Sequence, residues 1–206
     1  FARKLNIKNF LIFDYMNIEY RNNIALYDKQ ILENRDKTIF VSGWEFRVPE
    51  LAIKYRDYFK EKYTPKLEMS SYIYMKEFEK YDMKVGVHIR RGDYKYWNNG
   101  KYYYEDEVYN DKIEQFSNLF KDKKILFILF SNEEITLKPK QNYIISKCDW
   151  YEDHYLLSLC NYIIGAPSTF TIWASFIGNV PLMHILDIDD KVNLNSFNVN
   201  VDMTPI

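Results

Sequence analysis

The sequence has few cysteines, almost no net charge and no long apolar run. Cys148 and Cys160, its two cysteines, lie in neither a CxxC pair nor a Cys/His cluster, which argues against a disulfide scaffold or a zinc module and favours a reducing compartment. With 28 Lys and Arg against 29 Asp and Glu, no overall positive field attracts nucleic acid or anionic lipid, so any basic site is local. The longest apolar run, Ile125 to Phe130, is far shorter than the roughly 20 residues that cross a bilayer. The sequence therefore predicts neither a nucleic-acid partner nor a transmembrane segment.

The composition is that of a folded protein with many aromatic side chains. Hydrophobic residues make up 47% and charged residues 28%, enough for a core beneath a solvated surface. The 19 Tyr, 14 Phe and 4 Trp exceed what such a core needs, and several lie among Lys and Asn between Tyr94 and Tyr104. Rings with a polar tip suit sugar-binding clefts. A compositional bias explains them as well.

The apolar segments before Lys84 predict one small α/β layer followed by two helices that could bridge two lobes. The pattern favours strand-like runs at Phe10 to Phe13 and Thr38 to Val41, and helices at Ile24 to Leu32, Val48 to Tyr63 and Leu67 to Lys80. Thr64-Pro65 separates the last two helices, because proline lacks an N–H and disfavours helix before it. Phe1 to Leu5 is typical of the end of a helix that begins upstream, so we expect a truncated N-terminus.

After Lys84 strands and helices alternate. The predicted strands are Met83 to Arg90, Ile125 to Phe130, Asn142 to Ser146, Tyr162 to Gly165 and Pro181 to Ile185. The predicted helices between them are Glu105 to Phe120, Tyr151 to Asn161 and Ser168 to Ile177. Crossovers of this length predict a right-handed parallel sheet flanked by helices. Ligands of such sheets bind beyond the carboxyl ends of the strands.

The first polar motif lies at the end of the strand at Met83 to Arg90. Alternation places Val85, Val87 and Ile89 on one face and His88 and Arg90 on the other. Arg91 and Asp93 follow the strand end, and adjacent guanidinium groups there favour a diphosphate, which arginine binds bidentately. The alternative is a surface Arg-Arg-Gly-Asp turn in which Asp93 pairs with an arginine.

Two more motifs lie near helix starts. Ser168, Thr169 and Thr171 crowd the first turn of a helix that follows a strand, and free N–H groups make such an end an anion site; the alternative is that Ser168 is an ordinary N-cap. Asp149 to Asp153 offers carboxylates that suit the donors on the edge of guanine. Acidic residues at a helix start are the simpler explanation of that run.

A fourth motif points to a different chemistry. Asp187 and Asp189 form a DxD pattern, by which metal-dependent glycosyltransferases hold a divalent cation on a sugar nucleotide. Acidic residues after a strand are more often a solvated turn. His154 and His184 have no partner that suggests a ligand set, so we interpret both as structural or surface histidines.

Three of these segments resemble, in order and spacing, the motifs of the α-1,2-fucosyltransferase family, of the glycosyltransferase family 11 type. They are the runs from His88 to Tyr94, from Asp153 to Cys160 and from Pro167 to Ala174. The first motif is similar in α-1,6- and protein O-fucosyltransferases, and the later two narrow the match to the α-1,2 branch. Two departures concern the acceptor: Ala166-Pro167 precedes Ser168, and Ile172 replaces a tryptophan.

The resemblance implies a GT-B-like pair of Rossmann-type lobes. Residues 1–83 would be a partial acceptor-side lobe, and residues 84–206 would bind GDP-fucose. Arg90 would grip the β-phosphate, and Arg91 and Asp93 would complete the catalytic site. The remaining binding residues, beside the guanosine and the diphosphate, would be His88, Asp153, Ser168, Thr169 and Phe170.

The implied reaction is an inverting transfer of L-fucose to the 2-hydroxyl of a terminal galactoside, without a metal or other cofactor. Asp93 is the first choice for the base, with Glu105 or Asp106 as alternatives. The expected partners are GDP-fucose and a galactose-terminated oligosaccharide. The expected location is the cytoplasm, with peripheral association at the inner face of the membrane as a further option. The competing hypotheses are a DxD metal-dependent transferase and a non-catalytic sugar- or nucleotide-binding module.

Overall fold

The computed structural model describes residues 10–14, 29, 31–42 and 49–200. The chain divides into two compact units, Phe1–Val48 and Pro49–Ile206. The helix end predicted at Phe1 to Leu5 and most of the helix predicted at Ile24 to Leu32 lie outside the described residues. In the first unit, β1 (Phe10–Asp14) pairs in parallel with β2 (Thr38–Ser42), where the sequence predicted strand-like runs.

The second unit begins with three helices. They are α1 (Pro49–Lys54), α2 (Arg56–Tyr63) and α3 (Met69–Phe78). The single helix predicted from Val48 to Tyr63 is wrong, since Tyr55, with φ −107° and ψ 17°, interrupts it. These helices belong to the compact unit that contains the main sheet, whereas the sequence grouped them with residues 1–83. The functional division into an acceptor-side and a donor-binding lobe stays a prediction.

Five parallel strands form the main sheet. They are β3 (Met83–Ile89), β4 (Ile125–Ser131), β5 (Tyr143–Ile145), β6 (Tyr162–Gly165) and β7 (Leu182–His184), in the spatial order β5-β4-β3-β6-β7. The helices between them are α4 (Asp106–Leu119), α5 (Trp150–Ser158) and α6 (Thr169–Gly178). Short 3-10 helices occur at Gly92–Lys95, Trp97–Gly100 and Leu194–Ser196. The predicted α/β class, with a Rossmann-like parallel sheet flanked by helices, is confirmed.

The strand order places a crevice between β3 and β6. The chain lays β4 and β5 on one side of β3 and then returns to add β6 and β7 on the other side. The connections that leave β3 and β6 therefore lead to opposite faces of the sheet, and the space beyond the carboxyl ends of the two strands is the switch-point crevice. This switch point is the usual ligand position in an open parallel sheet.

The sheet has an apolar core on each face. On one face Val85, Val87 and Ile89 pack with residues of α4 such as Ile113 and Phe116. On the other face residues of β4 and β6 pack against α3, α5 and α6. The alternation predicted for β3 is thus confirmed, and His88 faces the side of α5 and α6.

Among the helices in the described part of the chain, none combines the length and the apolar character needed to cross a bilayer.

Candidate functional site

The carboxyl ends of β3 and β6 bring the first two polar motifs together. His88 and Gly165 are register partners on these neighbouring strands. The ring of His88 stacks on Phe170 of α6, with centroids 5.0 Å apart and planes at 19°. The hydroxyl of Tyr94 donates to the carbonyl oxygen of Pro167 over 2.5 Å. The two motifs therefore share one edge of the sheet.

The close pairing of β3 and β6 depends on Gly165. A Cβ atom at this position would lie 2.7 Å from the carbonyl oxygen of His88, closer than real Cβ atoms approach backbone. A larger residue would push the two strands apart. The switch-point crevice would then widen where the two motifs meet.

Arg90 lies directly beyond β3 and remains partly accessible. Its NH2 group lies 2.8 Å from Oδ1 of Asp93, and its side chain is 31% exposed. The guanidinium lies over the ring of Tyr94, 5.3 Å from the centroid. Its Nε atom is buried without a hydrogen-bond partner among the described residues. The turn alternative is thus partly seen, since Asp93 does pair with an arginine, but Arg90 keeps accessible surface for a ligand.

Arg91 has a different environment. It forms an ion pair with Asp106 of α4, and its side chain is only 11% exposed. Thr136 donates a 2.6 Å hydrogen bond to the same carboxylate, while the Arg91 N–H donates to Oδ1 of Asn132 over 3.0 Å. Each guanidinium therefore has its own carboxylate, and Arg91 anchors the β3 end to α4 and β4. Its predicted catalytic role stays a prediction.

The start of α6 is capped by its own sequence. Oγ of Ser168 accepts from the N–H of Phe170 over 3.2 Å, so the N-cap alternative is seen. The hydroxyl of Thr171 donates to the carbonyl of Ser168 over 2.8 Å and lies 2.7 Å from Nε2 of His184. The Thr171 hydroxyl therefore joins the start of α6 to His184 of β7. Thr169 is exposed on the first turn, so the helix start offers accessible polar groups at the crevice.

Asp153 lies in the first turn of α5, which follows the carboxyl end of β5. It is 9% exposed and accepts a hydrogen bond from the Ser146 hydroxyl. Burial, with the nearby charges of Glu152 and Asp149, raises its pKa to about 6, against the opposing effect of the Ser146 hydrogen bond. Glu152 instead binds the backbone N–H of Glu68 over 2.8 Å. The acidic run therefore divides into one carboxylate at the sheet edge and one that joins α5 to the α2–α3 connection.

Two histidines form an aromatic wall beside the crevice. Burial, and then the charge of Arg90, lowers the pKa of His88 to about 3. Burial lowers the pKa of His154 to about 4, and its ring lies between Phe170 at 4.8 Å and Trp173 at 6.3 Å. Both imidazoles are neutral at physiological pH, so they present flat rings without positive charge.

The residues that the sequence analysis did not single out contact the predicted site residues and hold them in place. Asn132 and Ser146 hold Arg91 and Asp153, and His154 extends the wall formed by Phe170. Asn132 lies two residues beyond the predicted strand Ile125 to Phe130, and Ser146 ends the predicted strand Asn142 to Ser146. Their position at a strand end is the one signal that singles them out. No local pattern indicates that His154 meets Phe170.

The DxD segment forms a self-contained turn. Oδ2 of Asp190 accepts from the N–H groups of Leu186 and Asp187 over 2.7 and 2.9 Å. Oδ1 of Asp187 accepts from the N–H of Asp189 over 3.0 Å. Within the described ranges, no group of three or more His, Cys, Asp or Glu side chains is arranged to hold a metal ion. These contacts fit the solvated-turn alternative.

Comparison with known proteins gives the family of the chain. The model of the family described as glycosyl transferase family 11 matches residues 1–198, nearly the whole chain. No curated protein matches the sequence. The chain therefore belongs to glycosyl transferase family 11, a family of fucosyltransferases.

Proposed function

We propose that the chain transfers L-fucose from GDP-fucose to the 2-hydroxyl of a terminal galactoside, with inversion at the anomeric carbon and without a metal. The observation that carries the proposal is that Tyr94 links Arg90 to the segment directly before α6. The Arg90 guanidinium lies 5.3 Å from the centroid of the Tyr94 ring, and the Tyr94 hydroxyl donates to the carbonyl oxygen of Pro167. A diphosphate in this crevice lies between a guanidinium and a helix N-terminus. Both are established ways in which proteins bind phosphate.

The proposed binding site for the guanosine lies on the α5 and α6 side of the sheet. His88, Phe170 and Asp153 lie on the α5 and α6 side of the sheet edge. The neutral rings offer an apolar surface for the nucleoside. Charged Asp153 is an acceptor for the adjacent N–H donors of guanine, which adenine and uracil do not present in that arrangement. This pairing is the basis for choosing GDP over ADP or UDP.

The reaction follows from the charges. The acceptor oxygen forms a bond to C1 of fucose while the bond from C1 to the β-phosphate oxygen breaks. The ring gains oxocarbenium character and negative charge grows on the departing GDP. Arg90 and the N-terminus of α6 are preorganised to stabilise that charge.

A base must remove the proton of the acceptor hydroxyl. Asp93 is 61% exposed and lies 2.8 Å from Arg90, so it sits beside the proposed phosphate position. Asp106 already accepts from Arg91 and Thr136, which leaves it poorly placed for this task. Asp93 is therefore the proposed base. The cytoplasmic location and the peripheral membrane association stay predictions.

The decisive experiment is Arg90→Ala, assayed with GDP-fucose and lactose. We expect transfer to fall by about 10² to 10³ or more, since a preorganised donor to the developing charge is lost. GDP binding should also weaken. Linkage analysis of the wild-type product by NMR tests the 2-hydroxyl assignment.

Arg56→Ala is the matched control. Arg56 also lies over an aromatic ring, 5.9 Å from the centroid of Phe176, and bonds Asn179 over 3.1 Å. Asn179 caps the far end of α6, so this arginine is remote from the crevice. The control should keep its transfer activity. Full activity of Arg90→Ala would end the proposal.

A further inference from the structure

We propose that Trp97 is the platform on which the acceptor sugar stacks, a role that rests on the proposed function and extends it to the acceptor. Trp97 lies in the connection that leaves β3 directly after Arg90 and Asp93. Its side chain is 49% exposed, and that of the preceding Tyr96 is 79% exposed. A large aromatic side chain that stays half-exposed beside a proposed sugar-nucleotide site is accessible to a sugar.

Contacts between tilted aromatic rings link Trp97 to the proposed phosphate position. The Trp97 ring lies 4.9 Å from that of Tyr94 and 5.6 Å from that of Tyr102. Tyr94 in turn carries the Arg90 guanidinium 5.3 Å above its centroid and bonds Pro167 at the start of α6. Trp97 is therefore one ring away from the residue that holds the diphosphate. Fucose on the donor and one acceptor sugar are enough to bridge this separation.

The backbone fixes the position of that ring. Asn98, Asn99 and Gly100 have positive φ values of 48°, 56° and 75°, and they reverse the chain directly after Trp97. Asparagine and glycine tolerate this left-handed conformation better than other residues. The N–H groups of Lys101 and Tyr103 donate to the carbonyls of Asn98 and Gly100 over 3.2 and 3.0 Å. The tight turn holds Trp97 against Tyr94 and Tyr102, and about half of the residue's surface stays exposed.

Trp97 and the proposed nucleoside site lie on opposite faces of the main sheet. Tyr94 and Tyr102 pack with the core on the α4 face. Phe170 packs with the core on the α5 and α6 face, and His88 stacks on it there. Arg90 lies between the two sets. A donor whose guanosine contacts His88 and Phe170 thus directs its sugar end toward the Trp97 side.

The chemistry of galactose fits an exposed indole. Its axial 4-hydroxyl points to one side of the ring, so the opposite side presents mainly C–H groups. A flat aromatic ring buries such an apolar sugar face while the hydroxyls stay in water. The β-galactoside of the proposed function can stack in this way with its 2-hydroxyl free to react.

The test compares Trp97→Ala and Trp97→Phe with the wild type. We expect Trp97→Ala to raise the acceptor KM about tenfold, the loss of one ring contact of about 1.4 kcal/mol. Acceptor-independent hydrolysis of GDP-fucose and the thermal shift given by GDP should stay unchanged. Trp97→Phe should recover part of the affinity, because it keeps a flat apolar ring. Saturation-transfer NMR with lactose, in the absence of donor, should lose its signal in Trp97→Ala.

Tyr72→Ala is the control, since Tyr72 is 51% exposed on α3, outside the connection after β3. An unchanged acceptor KM and lactose signal in folded Trp97→Ala would overturn the inference. An equal loss of GDP binding and lactose binding would also overturn it, because the ring would then support the donor site. Failure of the proposed function looks different: the wild type would show no GDP shift and no transfer, while the dependence of lactose binding on Trp97 would persist.

Discussion

Asp153 is buried, and the proposed function requires it to be ionised when it binds guanine. Its pKa of about 6, raised mainly by burial, makes it a carboxylate at pH 7 and a neutral acid below pH 6. Only the carboxylate accepts from two guanine donors at once. The affinity for GDP should therefore fall as the pH drops below about 6.

The variant Asp153→Asn tests this coupling. We expect weaker GDP binding at pH 7.5 and a shallower fall in affinity toward pH 5 than in the wild type, since an amide does not titrate and its NH₂ group cannot accept. The slope that remains comes from the terminal phosphate of GDP, whose second pKa is about 6. Isothermal titration of GDP at each pH is the measurement. The same pH slope in the variant and the wild type would contradict the role of Asp153.

The same variant should also differ from the wild type in stability, in a direction that depends on pH. Because the folded pKa of Asp153 is raised, its contribution to the free energy of unfolding is fully present below its unfolded value of 3.8 and is lost as the pH rises through about 6. The buried histidines act in the opposite direction. The lowered pKa values of His88 and His154 stabilise the fold above pH 6.5, and this contribution is lost as the pH falls toward about 3 to 4. Asp153→Asn should therefore melt above the wild type at pH 7.5, and the difference should shrink toward pH 4.

At the scale of the element, the start of α6 has two roles that a substitution can separate. Ser168 caps the helix through Phe170, and the proposal places a diphosphate beside it. Aspartate caps a helix as well as serine does, but its charge repels a phosphate. Ser168→Asp should therefore keep the melting temperature and lose GDP affinity by about tenfold or more, the cost of roughly 1.4 kcal/mol of repulsion. Ser168→Ala should lower stability by about 1 kcal/mol.

Asn193→Asp is the control for added charge at a cap. Asn193 accepts from the N–H of Asn195 over 3.0 Å at the start of the last 3-10 helix, outside the crevice. Melting curves and GDP titrations of the three variants are the measurements. Undiminished GDP affinity in Ser168→Asp would place the diphosphate elsewhere.

At the scale of the molecule, the donor class is best tested by the stability of the whole chain. A ligand at 100 times its Kd adds about 2.7 kcal/mol to the free energy of unfolding, which raises the Tm of a chain of this size by roughly 5–10 °C. GDP and GDP-fucose should give this shift, with or without EDTA, while UDP and ADP should not. Thermal melting with each nucleotide is the measurement.

Each departure from that pattern favours a competing hypothesis. A shift that requires Mg²⁺ would favour the metal-dependent alternative, and Asp187→Ala would then abolish it. A GDP shift without fucosyl transfer would favour a non-catalytic binding module. Equal shifts by all nucleotides would contradict the role of Asp153 in selecting guanine.

Most of the second unit could be predicted because its signals are local. Apolar runs such as Ile125 to Phe130 become buried strands wherever they lie in a chain, and helical spacing in residues 106–119 buries one face. The alternation of these segments determines a parallel sheet, and the ends of β3 and β6 then determine which motifs lie at its carboxyl edge. The break at Tyr55 had no comparable local signal.

Side-chain partners were decided by the tertiary structure. Arg90 and Arg91 are adjacent and chemically identical, yet one is partly open beside Tyr94 and the other is closed off by Asp106. Sequence periodicity gives the direction of a side chain but not what it meets, because the partner comes from another element whose position depends on the packing of the whole core. The chemical groups at the sheet edge are therefore a property of the sequence, whereas the choice of which of them is buried, paired or exposed to a ligand belongs to the folded molecule.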